Sequence, residues 1–362
     1  MSRRAWAQSR LPNGAPSLPV FKNLIVHRLA AGWSASTADL EEHLSTQRFV
    51  ECGATQAKSA GWVEPRGVAN GPLLEIIDGQ WLLALLVEQK VLPGAVVRRE
   101  VDARAARAEQ ETGRKPGKKQ LRELKDQVQL ELLPMAFTKR STVKIWIAPA
   151  ERLLMIDAGS ARVADDTITL LTKTLPGLSA QAVNTAVSPA AAMADWLVGG
   201  DAPSGFTIDR DCELKAADGE KPAVRYARHA LDIDEIRGHI GAGKQPTRLA
   251  LTWNGRVSFV LTDALQIKKL AFLDGVYEGR KADRSDEAFD ADAAIATGEL
   301  APLIGDLIDA LGGEAPLGAS AAAIAPATPA AATPTEPSPK PAEAGKSTSV
   351  PPWETEADAT VG

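Results

Sequence analysis

RREVDARAARAEQETGRKPGKKQLRELKDQVQLELLPMAFTKRSTVK, residues 98 to 144, places thirteen Lys or Arg against seven Asp or Glu in a chain of net charge -5. Its apolar residues fall at helical spacing on either side of a turn. Val97, Val101 and Ala108 form one stripe and Leu121, Leu124, Val128 and Leu132 another, which predicts helices over 95–113 and 118–133. Narrow stripes of this kind suit one helix packing on one partner, so the pair is expected to be an antiparallel helical hairpin. Between them, GRKPGKK (Gly113 to Lys119) carries a Pro-Gly turn. That turn would hold Arg114, Lys115, Lys118 and Lys119 at the tip, a geometry suited to contact with a polyanion.

Strand patterns lie on both sides of this hairpin. Upstream, FKNLIVHRL from Phe21 reads as a strand, Thr37 to Gln47 as a helix and RFVEC from Arg48 as another strand. LLEIID and WLLALLVEQ flank Gly79 as a β-hairpin, because Asp-Gly accommodates the positive φ of a tight turn. Downstream, TVKIWIAP and RLLMIDAG read as strands, 161–175 and 189–198 as helices, and GFTID and AVRYARH as strands. Asp232 and Glu235 have the spacing of a capping box opening a further helix. RLALTW and RVSFVLT around Asn254-Gly255 make a second hairpin, with QIKKLAFL as a strand beside it. Leu303, Leu307 and Leu311 mark a last helix, ended by Gly312-Gly313.

The pattern therefore predicts an α+β protein, with antiparallel sheets, packed helices and a projecting helical hairpin. Its expected parts are a disordered N-terminal extension at 1–20, an N-terminal α+β part of the body at 21–92 and the hairpin at 93–137. A C-terminal α+β part follows at 138–313. The Ala/Pro-rich acidic tail at 314–362 is expected to be disordered.

Composition narrows the function classes. Cys52 and Cys212 are the two cysteines of the chain, without the spacing of a zinc site and too few for a disulfide framework. The longest apolar run, Trp81 to Val87, is too short to span a bilayer, and the N-terminus lacks an apolar signal core. A cytoplasmic protein without membrane contact is expected. Gly238 to Lys244 has P-loop spacing, but Gln245 follows where a magnesium-binding hydroxyl is required, and the stretch leads from a helix into a strand. It reads as a helix C-terminus. The four histidines show no compact ligand spacing, and there is no Gly-x-Ser-x-Gly elbow. No catalytic residue, metal or cofactor is expected.

Charge separation gives the positive reading. Between Tyr277 and Gly312 nine acidic residues meet three basic ones, opposite in sign to the hairpin. A net acidic chain with a localised basic stretch fits a protein presenting one face to nucleic acid. The candidate DNA contacts are Arg98, Arg99, Arg104, Arg107, Arg114, Lys115, Lys118, Lys119, Arg122, Lys125, Lys139 and Arg140, with Arg225 and Arg228 on a later strand. Contacts of this type go to phosphates and bring little sequence preference. The alternatives are a solvated helical pair whose acids neutralise its cations, an arm for an acidic protein partner, and a solvated sheet face for Arg225 and Arg228. Phe137 reads either as a core residue at the helix-to-strand junction or as an apolar contact at an interface.

FKNLIVHRL at Phe21, GWVEP at Gly61, EQKVLPGAVV at Glu88, LKDQVQLELLPMAF at Leu124, FDADAAIATGEL at Phe289 and LIDALGGE at Leu307 occur in the order found in the recombination-associated RdgC family. The resemblance covers about 21–314. It implies a nucleoid-associated protein without enzymatic activity, forming a ring-shaped homodimer around double-stranded DNA, with single-stranded DNA as a further ligand. It also implies functional interplay with RecA, whose strand exchange such proteins limit. The hairpin then corresponds to the family's finger, Phe137 to its finger-associated phenylalanine, Arg114 to a finger cation and Arg228 to a basic position of the ring. Met135 departs from the family's Leu-Pro-x-Ala-Phe motif, which carries Arg at that place.

Overall fold

A computed structural model describes residues 21–216, 222–231, 233–273, 275–276 and 286–315. The N-terminal extension, Asp232, residues 277–285 of the acidic stretch and the tail beyond Ala315 lie outside them. The elements in chain order are β1 (Leu24–Leu29), α1 (Thr37–Ser45), β2 (Lys58–Val63), β3 (Leu74–Ile77), β4 (Gln80–Val91), α2 (Gly94–Thr112) and α3 (Lys118–Leu132). A single 3-10 turn, Leu133–Met135, leads into β5 (Phe137–Ala148), followed by β6 (Leu153–Ile156), α4 (Ala161–Thr174), β7 (Ala180–Ala182) and α5 (Pro189–Gly199). The remainder is β8 (Phe206–Ala216), β9 (Ala223–Tyr226), α6 (Asp234–Gly241), β10 (Lys244–Trp253), β11 (Val257–Thr262), β12 (Gln266–Phe272) and α7 (Asp286–Ala310).

The strands join one twelve-stranded sheet in the order β2-β4-β5-β6-β1-β12-β11-β10-β8-β9, with β3 pairing to β4 and β7 to β1. The ladders between these strands are antiparallel, so the α+β class read from the sequence holds. Both tight hairpins form as the dipeptides predict. Asp78 and Gly79 take φ 50° and 77°, and Asn254 and Gly255 take 46° and 65°, the left-handed pair that matches strand twist.

Alternation along the strands supplies two cores. Leu83 and Leu85 of β4 with Val143 and Ile145 of β5 pack on Leu40 and Leu44 of α1 and on Leu171 of α4. The opposite face, with Leu82, Trp146 and Met155, joins Met193 and Leu197 of α5 and Leu303 and Leu307 of α7. Three buried indoles find acceptors: Trp62 donates to Thr174 Oγ1 at 3.0 Å, Trp146 to Gln80 Oε1 at 2.7 Å and Trp253 to Asp306 Oδ2 at 2.8 Å.

One local expectation changes. RFVEC is not a strand: only Arg48 forms a bridge, to Trp62. The main chain at Phe49 follows β2 so closely that a Cβ on Gly61 would lie 2.4 Å from the Phe49 Cα, after which residues 50–57 turn away towards β4. The strand itself is β2, whose polar and small residues hide its pattern. The capping box read at Asp232 and Glu235 rests on Asp232, which lies outside the described residues; α6 itself begins at Asp234. Glycine-rich 238–244 does end α6 and lead into β10, as the failed P-loop match required.

Candidate nucleic-acid interface

α2 and α3 pack on each other through Val97, Val101 and Val128, with Leu92, Leu124 and Leu132 around them, a cluster separate from both cores of the sheet. The turn between them is set by glycine. Gly113 at φ 70° caps α2, donating its N–H to Glu109 O at 2.8 Å, the left-handed C-cap that favours glycine. Gly117 precedes α3, and its N–H is taken by Gln120 Oε1 at 3.0 Å. Arg114, Lys115, Lys118 and Lys119 are all exposed around this turn. Among the described residues three of the four have no acid within ion-pair distance, and Lys119 stands 4.0 Å from Glu123.

Further along the pair, Arg98, Arg99, Arg107, Arg122 and Lys125 form no ion pair among the described residues. Arg104 differs. Its guanidinium bonds Glu100 at 3.1 Å and reaches from α2 to both carboxylate oxygens of Glu131 on α3, at 3.2 and 2.6 Å. That contact raises the Arg104 pKa and holds the Glu131 carboxyl below its ordinary range. Arg104 therefore spends its charge joining the two helices.

Phe137 opens β5 opposite Val91, the last residue of β4. It is 88% exposed, with Met135 at 74%, Leu130 at 53% and Val91 at 46%, so the core reading of Phe137 does not hold. Lys139 is exposed two rungs on. Arg140 is engaged: it bonds the buried carboxylate of Glu88 at 2.6 Å and Glu51 at 2.5 Å, with its guanidinium 5.6 Å from the Phe49 ring centre. Those carboxylates raise its pKa, Glu88 first. Glu88 itself is held below the usual range by the Cys52 N–H and by Arg140, against its burial.

Arg225 and Arg228 are exposed, the second at φ 55° with its N–H on Asp211 Oδ1 at 2.8 Å. Arg225 lies on β9 and Arg228 two residues beyond its end. β9 is the far edge of the sheet, with β6, β1, β12, β11, β10 and β8 between it and β5, on the order of 30 Å away at the usual strand spacing. Within the chain the candidate cations thus form two groups, well separated in strand order along the sheet.

Sequence reasoning missed Glu88, Glu51 and Lys90 as partners at the root of the helix pair. The available signal was an acid and a base facing each other, at Glu88 and Arg140, once the β4–β5 register is fixed by the apolar alternation. Among the described residues no group of three or more His, Cys, Asp or Glu is placed to hold a metal ion, and no helix is long and apolar enough to cross a membrane.

Fold and site together define an antiparallel α+β protein that carries an isolated, cation-tipped helix pair between two adjacent strands. Residues 20–314 match the family model described as "Putative exonuclease, RdgC". The chain is 49% identical over 299 residues to the recombination-associated protein RdgC of Dechloromonas aromatica (strain RCB), covering 81% of this chain and 98% of that protein. It is 47% identical over 297 residues to the protein of the same name from Cupriavidus pinatubonensis, with the same coverage. The corresponding figure for Herminiimonas arsenicoxydans is 43% over 296 residues, again 81% and 98%. The chain belongs to the RdgC family.

Proposed function

We propose that this chain is a DNA-binding protein without sequence preference, which closes as a homodimeric ring around duplex DNA and thereby limits RecA-promoted strand exchange. The helix pair is the finger of that ring, meeting its counterpart through the exposed patch of Phe137, Met135 and Val91. The observation that carries the reading is the cluster of Arg114, Lys115, Lys118 and Lys119, exposed at one turn, where among the described residues the one ion pair is Lys119 with Glu123 at 4.0 Å. Such charge is neutralised by phosphates more readily than by this protein's own carboxylates. The names of the relatives, which place them in recombination, agree with it.

Contacts to phosphate position a duplex without reading its bases, so the protein needs no chemistry of its own to obstruct strand exchange. Arg98, Arg99, Arg107, Arg122, Lys125 and Lys139 extend the contact surface along the finger, and Arg225 and Arg228 supply a second group on the ring. Arg104 and Arg140 hold the finger's shape instead of touching DNA. Nucleoid location follows from binding of this kind.

Electrophoretic titration of unrelated duplexes across a salt series tests the proposal. Equal affinities that fall by orders of magnitude over a few-fold rise in salt support it. Sequence-selective binding that resists salt contradicts it. Shortening of an end-labelled duplex in the same tubes, with divalent cation present, would favour the exonuclease named in the family description instead.

A further inference from the structure

We infer that Glu88 and Arg140 form, with the segment 49–57, a joint that fixes the direction of the finger relative to the body. The inference rests on the ring reading for its consequence, though not for its geometry. The hydrophobic cluster of the finger is its own, and the finger enters and leaves through β4 and β5. Beyond Gln89, where the β2 pairing ends, β4 and β5 continue as a two-stranded ribbon, a weak support for direction, since twist and bend in such ribbons are soft. Something must hold its root.

The contacts at that root converge on one short segment. Glu88 sits in β4 between Ser59 of β2 and Arg140 of β5, and is only 2% exposed. One carboxylate oxygen accepts the Cys52 N–H at 2.7 Å and the other accepts Arg140 Nε–H at 2.6 Å. Arg140 continues to Glu51 and lies over Phe49. Two residues further along β4, Lys90 donates its backbone N–H to Ala57 O at 2.9 Å and its ammonium to Ala54 O at 2.6 Å. Residues 49–57 thus strap the ribbon from the side at Glu88, Lys90 and Arg140, near the point where it leaves the sheet.

A buried carboxylate with both oxygens engaged tolerates little movement, because any rotation of the ribbon leaves a charge buried and unpaired. Surface cations along the finger could have been placed anywhere that faces DNA. Arg140 faces a buried acid instead, and a planar guanidinium can hold Glu88 and Glu51 at once in a fixed fork, which an ammonium does less rigidly. Arg140 is accordingly a positioning residue. With the joint intact, two fingers in a dimer meet in one register and the ring stays shut.

The test uses full-length protein with a dye pair introduced through keto amino acids at Gln110 and Asp263, both exposed, diluted with unlabelled protein so that one protomer per dimer reports. Single-molecule distance distributions are recorded for the wild type, Glu88→Gln, Arg140→Gln and Arg140→Lys, alongside release from covalently closed duplex circles. The joint predicts one narrow distribution in the wild type, about twofold broader in both Gln variants and largely narrowed again in Arg140→Lys. It also predicts release from circles about tenfold faster in the Gln variants, since changes to an interface act chiefly on dissociation. Gln variants that merely melt at lower temperature while keeping the narrow distribution would overturn it, marking the pair as ordinary scaffolding. Wild-type protein that does not stay on circles would overturn the ring and leave the distance measurement to decide the joint.

Discussion

Val91 and Phe137 face each other across the last rung of the β4–β5 ladder, and both side chains are open to solvent. A cross-strand apolar pair contributes to a sheet when it is covered. Here Phe137 stays 88% exposed and Val91 46%, and the pair marks where the ribbon hands over to the helix pair.

Phe137→Ala should therefore leave the fold alone. Its thermal stability is expected within about 0.5 kcal/mol of wild type, the range for surface substitutions, while duplex retention and dimer mass at low concentration fall. Calorimetry beside analytical ultracentrifugation checks both. A collapsed melting temperature would return Phe137 to the core.

Reversal of Arg114, Lys115, Lys118 and Lys119 to Glu should weaken every duplex alike. For each phosphate the variant no longer neutralises, the slope of log affinity against log salt becomes shallower by about 0.9. Gel-shift titration at several salt concentrations reads the slope directly. Unchanged affinity removes the tip from the interface.

Arg104 and Arg107 lie one turn apart on α2 and should behave differently. Arg107→Ala is expected to reduce the salt slope, as a free cation would. Arg104→Ala, which unties α2 from Glu131 on α3, should instead speed amide hydrogen exchange in both helices. Exchange followed by mass spectrometry separates the two effects.

Acid should act through Glu88. Its folded pKa lies below the ordinary 4.5 because the Cys52 N–H and Arg140 favour the carboxylate, so its contribution is present above that value and is lost as pH falls through the lower, folded one. Urea midpoints between pH 6 and about 3 should drop more steeply for wild type than for Glu88→Gln. Parallel curves would show that Glu88 carries no such linkage.

The helix pair, both tight hairpins and the helix marked by Leu303, Leu307 and Leu311 were legible because each rests on local rules: apolar spacing, a dipeptide with positive φ, a glycine stop. β2 was not, since Lys58, Ser59, Ala60 and Gly61 carry no alternation and its place depends on β4. The partition of the cations was hidden for the same reason. Arg104 and Arg140 look like their neighbours in the sequence, and only the packing of α2 on α3 and the pairing of β4 with β5 show that their charges are already engaged. Arg225 belongs to a strand, and Arg228 to the bend just after it, whose position at the far edge follows from the order of the whole sheet.

Binding to linear and covalently closed duplexes of one sequence tests the encircling dimer most directly. After dilution into competitor DNA, protein assembled on closed circles should persist while protein on linear molecules escapes over the free ends. Equal loss from both, at a salt concentration where both are first bound, would contradict the account.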